Sequence, residues 1–519
     1  MSAERFPAPL PQASSDLRAA AVGPLANQVS PKYLEEHSLL PIGLAEDGSL
    51  LVAVGGPLDP AVADELRRTY GRRLTLVEAP AAEIQSAILS ASNDTPSTLL
   101  RDGDLELLAP EEEAIDDLRS LASQAPVIKL VNVILLEALR LRASDVHLES
   151  TAQGLRVRYR IDGVLQEVSN PPRQYQAAVI SRIKIMASLN IAERRQAQDG
   201  RIRLRLSDRE LDLRVSTLPA LHGESVVLRI LDRGSGVPDL GELGMSETAL
   251  ASFARLIRLP HGIILVTGPT GSGKTTTLYG ALRRINEPGV KIVTVEDPVE
   301  YQIEGLTQIP VAAKGGLTFA SALRSILRHD PDIIMVGEMR DAETAEISIQ
   351  AALTGHLVFS TLHTNDAPGG ITRLADMGVE PYLVAAVVRG LLAQRLVRMV
   401  CESCAAPYLP SASELGQAVA AASHPGVEKG ATPTMFRRGR GCDACAGTGY
   451  RGRTGIYELM IVTDEMRARV VAGSPLDEIR ALARSQGMVP LREDGWTKVC
   501  AGITTIEELL RVTSEDQPQ

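Results

Sequence analysis

A glycine-rich segment between an apolar run and a stretch with helical periodicity constrains the fold of this chain more than any other feature. Residues 268–275 read Gly-Pro-Thr-Gly-Ser-Gly-Lys-Thr and fit the pattern G-x-x-x-x-G-K-[ST]. The apolar run 262–268 predicts a buried strand, and residues 276–285 predict a helix. A strand, this loop and a helix in that order form a phosphate-binding loop. The segment therefore predicts an α/β domain that binds ATP, and an ordinary glycine-rich turn is disfavoured because every required position is filled.

The residue types in this loop suit phosphate and Mg²⁺ binding. Glycines let backbone N–H groups turn toward phosphate oxygens, and the N-terminus of the following helix adds positive potential. Lys274 can reach the β- and γ-phosphates, and the Thr275 hydroxyl can bind Mg²⁺. The predicted nucleotide contacts are Gly268, Pro269, Thr270, Gly271, Ser272, Gly273, Lys274, Thr275 and Thr276.

A second apolar run, residues 332–336, is followed by a single acid, Glu338. Gly337 stands where such a strand usually carries an aspartate. Glu338 is expected to hold Mg²⁺ through water or to help position the attacking water. The plainer alternative is a buried strand that ends at a surface glutamate.

Acids and histidines beside two other apolar runs predict further catalytic groups. Glu296 and Glu300 lie within five residues, with Asp297 between them, and a carboxylate is needed to take a proton from the attacking water or to orient it. His356 and His363 flank the apolar run 357–362, and an imidazole at a strand end can sense the γ-phosphate. The alternatives are an acidic surface loop and structural histidines.

Four of the five cysteines form two C-x-x-C pairs, separated by 37 residues. Two such pairs supply four thiolates for a tetrahedral Zn²⁺ ion. A redox dithiol is the alternative, but the surrounding sequence has no thioredoxin-like pattern. The predicted zinc ligands are Cys401, Cys404, Cys442 and Cys445, and Cys500, alone in a helical stretch, is expected to be buried.

The net charge of −10 disfavours a general nucleic-acid-binding surface, which needs clustered lysine and arginine. The N-terminus has no signal-peptide pattern, and no run of 18 uncharged apolar residues occurs. Between residues 102 and 117 the chain has eight acidic residues and no basic ones, which predicts an extended or disordered linker. These features indicate a cytoplasmic protein that reaches a membrane only through a partner.

Three blocks, residues 292–301, 336–341 and 354–364, together with residues 268–275, resemble the Asp box, Walker B, His box and phosphate-binding loop of the secretion ATPase superfamily. This superfamily includes the motors of type II secretion, type IV pili and type IV secretion. The resemblance implies a homohexameric ring of RecA-like domains, with Glu300 as the catalytic base and Glu296 as the second choice. It also implies that the preceding α+β domain supplies arginines to a neighbour's nucleotide, and the candidates are Arg201, Arg214 and Arg229.

The resemblance also implies a domain order around the α/β motor. Residues 441–457 resemble the tetracysteine block of assembly motors and type II secretion ATPases, which pilus-retraction motors lack. The predicted order is an N-terminal partner-docking domain at 1–92, an acidic linker at 93–119, the α+β domain at 120–232, the RecA-like ATPase domain at 239–397, the zinc subdomain at 398–455 and a helical region at 456–519.

The implied function is a cytoplasmic ATPase, peripheral on the inner membrane, that powers pseudopilus assembly and protein export through type II secretion. The implied partners are the cytoplasmic domain of a bitopic inner-membrane secretion protein and a polytopic inner-membrane platform protein. A type IV pilus assembly ATPase is the alternative, although the second-messenger motif often found in the longer N-terminal regions of such motors is not found here. The net charge disfavours a nucleic-acid translocase. The intact phosphate-binding loop, Glu338 and the Asp box disfavour a regulator that binds nucleotide without hydrolysing it.

Overall fold

In a computed structural model, the chain forms two compact units that meet in sequence between Glu106 and Leu107. Each unit is described by itself. The described residues are 37–45, 47–81, 105–107, 125–206, 209–232, 236–312, 315–411 and 436–513, with Val29, Tyr33, Leu34, Glu83, Ile84, Ser413 and Glu414.

The first unit is a small α/β fold with its own apolar core. Strands β1 and β2 pair antiparallel, β2 and β3 pair parallel, and the buried core includes Leu39, Leu50 and Leu66. The residue pattern predicts strands at 48–54 and 75–77, a helix from Pro60 and a closing helix at 81–89. The two strands and the helix from Pro60 are confirmed, whereas β1 was not predicted. Most of the closing helix expected at 81–89 lies outside the described residues. The elements are β1 (Leu39–Leu44), β2 (Leu50–Val54), α1 (Pro60–Tyr70) and β3 (Leu74–Glu78).

An antiparallel sheet with two helices opens the second unit. Its strands follow the order β8-β9-β10-β5-β6-β7, and alternating Leu, Val and Tyr side chains on β5 and β6 are buried against the helices. The predicted α+β character is confirmed. Most of the acidic linker lies outside the described residues, apart from the short strand β4 (Leu105–Leu107). The elements are α2 (Ala125–Arg140), β5 (Ala143–Ser150), β6 (Leu155–Ile161), β7 (Val164–Ser169), α3 (Arg173–Met186), β8 (Gln198–Leu206), β9 (Arg209–Ala220) and β10 (Gly223–Asp232).

The centre of the second unit is a mostly parallel sheet in the order β13-β12-β14-β15-β11-β16-β19. All neighbouring pairs are parallel except the pair of β16 with β19. Parallel strands put all their carboxyl ends at one edge, where α/β proteins bind ligands. The elements are α4 (Glu247–Leu256), β11 (Gly262–Thr267), α5 (Lys274–Ile285), β12 (Ile292–Glu296), β13 (Thr307–Pro310), α6 (Phe319–Ile326), β14 (Ile333–Val336), α7 (Ala342–Leu353), β15 (Leu357–Leu362), α8 (Gly369–Asp376), α9 (Pro381–Val387) and β16 (Val388–Val400).

The cysteine subdomain is inserted between the two strands that end this sheet. Its described part holds the antiparallel pair of β17 and β18, and the long strand β19 then returns beside β16. The helices α10–α13 follow, and Cys500 at the end of α12 is exposed, so the expected burial is wrong. None of the helices in the described residues has the length and apolarity to cross a membrane. The elements are β17 (Ala405–Tyr408), β18 (Phe436–Gly439), β19 (Tyr450–Ile461), α10 (Asp464–Val471), α11 (Leu476–Ser485), α12 (Leu491–Cys500) and α13 (Ile506–Thr513).

Candidate active site

The glycine-rich loop connects β11 to α5 and packs closely against β16. Gly268, Gly271 and Gly273 have φ angles of 145°, 79° and 86°, which L residues other than glycine rarely adopt. A Cβ atom at Gly268 would also lie 2.4 Å from the carbonyl oxygen of Gln394, and one at Gly273 would lie 2.8 Å from its Nε2. Gln394, which the sequence analysis did not single out, therefore fixes the back of the loop.

Lys274 lies inside this loop with only 9% of its surface exposed. Its Nζ donates to the carbonyl oxygens of Gly268 at 2.8 Å and Pro269 at 3.1 Å. Burial lowers the pKa of Lys274 to about 8, although the nearby charge of Glu338 acts in the opposite direction. The Oγ of Ser272 is buried without a hydrogen-bond partner in the described part of the chain. A cation and an unpaired hydroxyl inside a loop of this shape fit bound phosphate.

Glu338 and His363 lie beside Lys274 at the carboxyl edge of the sheet. The carboxylate of Glu338 pairs with Arg340 at 2.5 Å, and its second oxygen lies 3.8 Å from Nε2 of His363. Burial lowers the pKa of His363, and the charge of Lys274 lowers it further while Glu338 raises it. The lowered pKa favours the neutral form of His363, which can both donate and accept a hydrogen bond.

The structure does not bring His356 to this edge. Strands β11 and β15 are parallel, with Thr267 beside Leu362 and Gly262 beside Leu357. His356 precedes β15 and so lies at the opposite edge from the loop. Its Nδ1 contacts the carbonyl oxygen of Ala351 at 2.8 Å, which ties it to the end of α7. This is the structural role that the sequence analysis left as the alternative for His356.

Glu296 and Glu300, the two candidate bases, have different surroundings. Glu296 ends β12, is 3% exposed, and accepts hydrogen bonds from Tyr279, Thr294 and Gln308. Glu300 lies in the loop after β12, where burial raises the pKa of its carboxyl above the ordinary value. A buried carboxylate with a raised pKa is suited to take a proton from water.

The three candidate arginines form one row across the antiparallel sheet. Arg201 on β8 is paired in register with Arg214 on β9, which is paired with Arg229 on β10. The charges of Arg214 and Arg229 lower the pKa of Glu300, so these two arginines lie near this carboxylate. The expected contact of these arginines with a neighbour's nucleotide stays a prediction.

Two details of this row concern how the arginines are held. Burial lowers the pKa of Arg214, and its Nε has no hydrogen-bond partner within the described residues. Arg229 donates from Nε to Asp145 Oδ1 at 3.0 Å, and Asp145 is buried on the neighbouring strand β5. Asp145 could not be predicted as a site residue from the sequence, because only strand pairing brings it beside Arg229.

The four predicted zinc ligands converge, with all their sulfur atoms within 4.8 Å of one another. The Sγ atoms of Cys401 and Cys442 lie 3.9 Å apart, and those of Cys404 and Cys445 also 3.9 Å. Four sulfurs at zinc-bond length around one tetrahedral ion lie about 3.8 Å apart. Backbone N–H groups of Cys442 and Gly449 donate to Cys445 Sγ at 3.2 Å, which suits a thiolate. These residues fit a bound Zn²⁺ ion.

Known protein families match nearly the whole chain. The Type II/IV secretion system protein family matches residues 120–511, and the MshEN domain family matches residues 10–97. Type II secretion system protein E of Xanthomonas campestris pv. campestris is 50% identical over 95% of this chain and 86% of its own length. The protein of the same name from Pseudomonas aeruginosa is 48% identical over 98% and 99%. The type IV pilus assembly ATPase PilB of Myxococcus xanthus is 45% identical over 94% and 86%.

Solved structures agree with the fold. The pilus retraction motor PilT with bound ADP is 26% identical, has a TM-score of 0.51, and matches over 74% of this chain and 96% of its own. The ATPase DotB of Legionella pneumophila is 21% identical with a TM-score of 0.55, over 78% of this chain and 98% of its own, which shows the shared fold.

Proposed function

The chain belongs to the Type II/IV secretion system protein family, and we propose that it is the ATPase that drives protein export through a type II secretion system. The observation that carries the activity is the meeting of Lys274, Glu338 and His363 at the carboxyl edge of the parallel sheet. The relatives named type II secretion system protein E, which match this chain almost from end to end, support the choice of system.

In the proposed mechanism each part of the site has a separate task. Lys274 and the loop glycines bind the β- and γ-phosphates, and Thr275 would hold Mg²⁺, which would neutralise phosphate charge there. Glu300 takes the proton from the attacking water, since its raised pKa suits a base. The row of Arg201, Arg214 and Arg229 stabilises the negative charge that develops in the transition state.

Glu338→Gln tests whether this site is the one that turns over ATP. The variant keeps the shape of the side chain but loses the charge that faces Arg340 and His363. We expect nucleotide binding to be retained and kcat to fall by about 10² or more. Phosphate release and binding of a fluorescent ATP analogue measure the two effects separately.

Glu343→Gln is the matched control for that variant. Glu343 is exposed on α7 and pairs with the exposed Arg324. We expect it to keep wild-type turnover, because an exposed ion pair contributes little. If Glu338→Gln hydrolyses ATP as fast as this control, Glu338 has no part in the chemistry.

We further propose that the chain works as a homohexamer and does not bind nucleic acid. In the cell it is a peripheral protein of the inner membrane. Its partners are the cytoplasmic domain of a bitopic inner-membrane secretion protein and a polytopic platform protein. The support is the family membership together with the separate core of the first unit, which leaves that unit available for a partner. We assign the docking role to residues 1–92, and the motor can then change shape while the docking domain stays bound.

Deleting residues 1–92 should uncouple the motor from the membrane. We expect the truncated chain to keep ATP hydrolysis, because Lys274, Glu300 and Glu338 all lie in the second unit. We expect it to leave the membrane fraction and to stop export, which cell fractionation and assay of the culture medium measure. Co-sedimentation of the truncated chain with membranes, together with normal export, would contradict the docking role.

Assembly of a type IV pilus is the second candidate function. It is favoured by the 45% identity with the pilus assembly ATPase PilB, which extends over 94% of this chain. The catalytic site serves both functions equally well, so the two are separated only by what the motor drives in the cell.

A further inference from the structure

A single buried tyrosine hydroxyl connects the helix of the phosphate-binding loop to the candidate base. Tyr279 lies on α5, little more than one turn after Lys274, and its side chain is fully buried. Its hydroxyl donates to Glu296 Oε2 and accepts the backbone N–H of Glu300 at 3.2 Å. The hydroxyl therefore uses its one proton to bind the carboxylate of Glu296 and a lone pair to bind the backbone of Glu300.

Glu296 is placed to anchor this hydroxyl rather than to take a proton from water. Its Oε1 accepts hydrogen bonds from Thr294 Oγ1 at 2.6 Å and Gln308 Nε2 at 3.2 Å, and its Oε2 accepts from Tyr279. The residue is 3% exposed. A carboxylate with three donors and almost no exposed surface has little room to contact an attacking water.

Gln308 on β13 holds the other end of the same loop. Its Nε2 also donates to the carbonyl oxygen of Tyr301 at 2.9 Å, and its Oε1 accepts the backbone N–H of Ile303 at 2.8 Å. The backbone on both sides of Glu300 is therefore tied to one buried network. The ring of Tyr279 also contacts that of Tyr301 edge to face, with 5.8 Å between ring centroids.

We propose that Tyr279 is a positioning residue for Glu300, and that Glu296 and Gln308 anchor it. This inference rests on the proposed function, in which Glu300 takes the proton from water. The hydroxyl fixes the distance between the Glu300 backbone and α5, whose N-terminus binds the phosphates. A movement of α5 when phosphate binds or leaves is then passed to the base through one side chain.

Tyr279→Phe tests the proposal because it removes the hydroxyl and keeps the ring contacts. We expect kcat to fall about tenfold, as for one lost buried hydrogen bond, with KM for ATP unchanged. The groups that face Glu300 are Arg214, Arg229, Glu296 and Tyr279. Burial is the largest cause of the raised pKa of Glu300. Loss of the Tyr279 hydroxyl should loosen and hydrate the loop, which lowers the pKa of Glu300. The acid limb of the kcat–pH profile should therefore move to lower pH.

Tyr159→Phe is the matched control. Tyr159 is also buried, and its hydroxyl donates to the carbonyl oxygen of Ile134 at 2.7 Å in the antiparallel-sheet region. We expect this variant to lose a comparable amount of stability but to keep the wild-type kcat and acid limb. If Tyr279→Phe behaves in the same way, its hydroxyl is only structural and the proposal fails.

Two glutamine variants separate this proposal from the function on which it rests. Glu300→Gln should remove the acid limb, whereas Glu296→Gln should lower kcat and keep a limb. The reverse pattern would make Glu296 the base and overturn the positioning role, although the chain would still be an ATPase. Absence of ATP hydrolysis by the wild-type chain under every condition would instead overturn the proposed function.

Discussion

Replacing Lys274 by alanine lowers kcat/KM for ATP by at least about 10², because the side chain supplies the cation at the β- and γ-phosphates. Lys274 is nine-tenths buried and already bonded to the loop carbonyls of Gly268 and Pro269. It therefore needs little reorganisation to meet a phosphate. Phosphate release at saturating and limiting ATP measures the loss.

Lys291→Ala is the control for this variant. Lys291 directly precedes β12 and is exposed, at the amino edge of the sheet and away from the loop. The Lys291→Ala variant loses the same charge from the same domain as Lys274→Ala. We expect its ATP hydrolysis to match wild type, because Lys291 lies away from the phosphate-binding loop. Wild-type turnover by Lys274→Ala would contradict the motor function.

Lys274 also gives ATP binding a pH dependence whose sign can be worked out. Its pKa is lowered to about 8 by burial in the free protein, and a bound phosphate favours the charged form. Below about pH 8 the lysine is already protonated and the affinity is constant. Above that pH, binding must take up a proton, so the affinity of the wild-type chain should fall, while that of Lys274→Ala should stay level.

Replacing Cys401 by serine should remove the metal and unfold the cysteine subdomain. In small zinc domains the free energy of metal binding is folding free energy, of the order of 10 kcal/mol. Cys401 directly follows β16, and Cys445 shortly precedes β19, so Zn²⁺ would clamp the strand pair whose Gln394 lies behind the phosphate-binding loop. We expect one zinc per wild-type chain and none in the variant, by elemental analysis of reduced protein.

Cys500→Ser is the matched control for the zinc prediction. Cys500 is exposed and lies outside the cluster of four sulfurs. We expect this variant to keep one zinc and the wild-type melting temperature, whereas Cys401→Ser should melt earlier and lose ATP hydrolysis. Freshly purified, reduced wild-type protein without zinc would contradict the assignment.

The sequence predicted the parts of the fold in which local pattern and tertiary position agree. Strand β15 begins and ends at the residues of the apolar run 357–362, because an unbroken apolar run is a local signal. Strand β19 was missed. Its first half contains Gly452 and Gly455 among charged residues, which has the composition of a loop, and it is extended because it pairs with β16.

The candidate site shows the same division between local and long-range information. The phosphate-binding loop and the cysteine cluster have short patterns that the chemistry itself requires. His363 and His356 flank one parallel strand of six residues, about 20 Å long, so only one of them can lie at the carboxyl edge. The partners Gln394 and Asp145 could not be predicted, because they reach the site through strand pairing between distant segments.

Deletion of the gene for this chain in its source organism tests whether the motor drives type II secretion. Proteins in the culture medium and pili on the cell surface are measured in the deletion strain, and again after wild-type or Glu338→Gln protein is supplied. If this motor drives type II secretion, export stops in the deletion strain, pili remain, and only the wild-type protein restores export. Loss of pili with normal export would contradict this function and would assign the chain to pilus assembly.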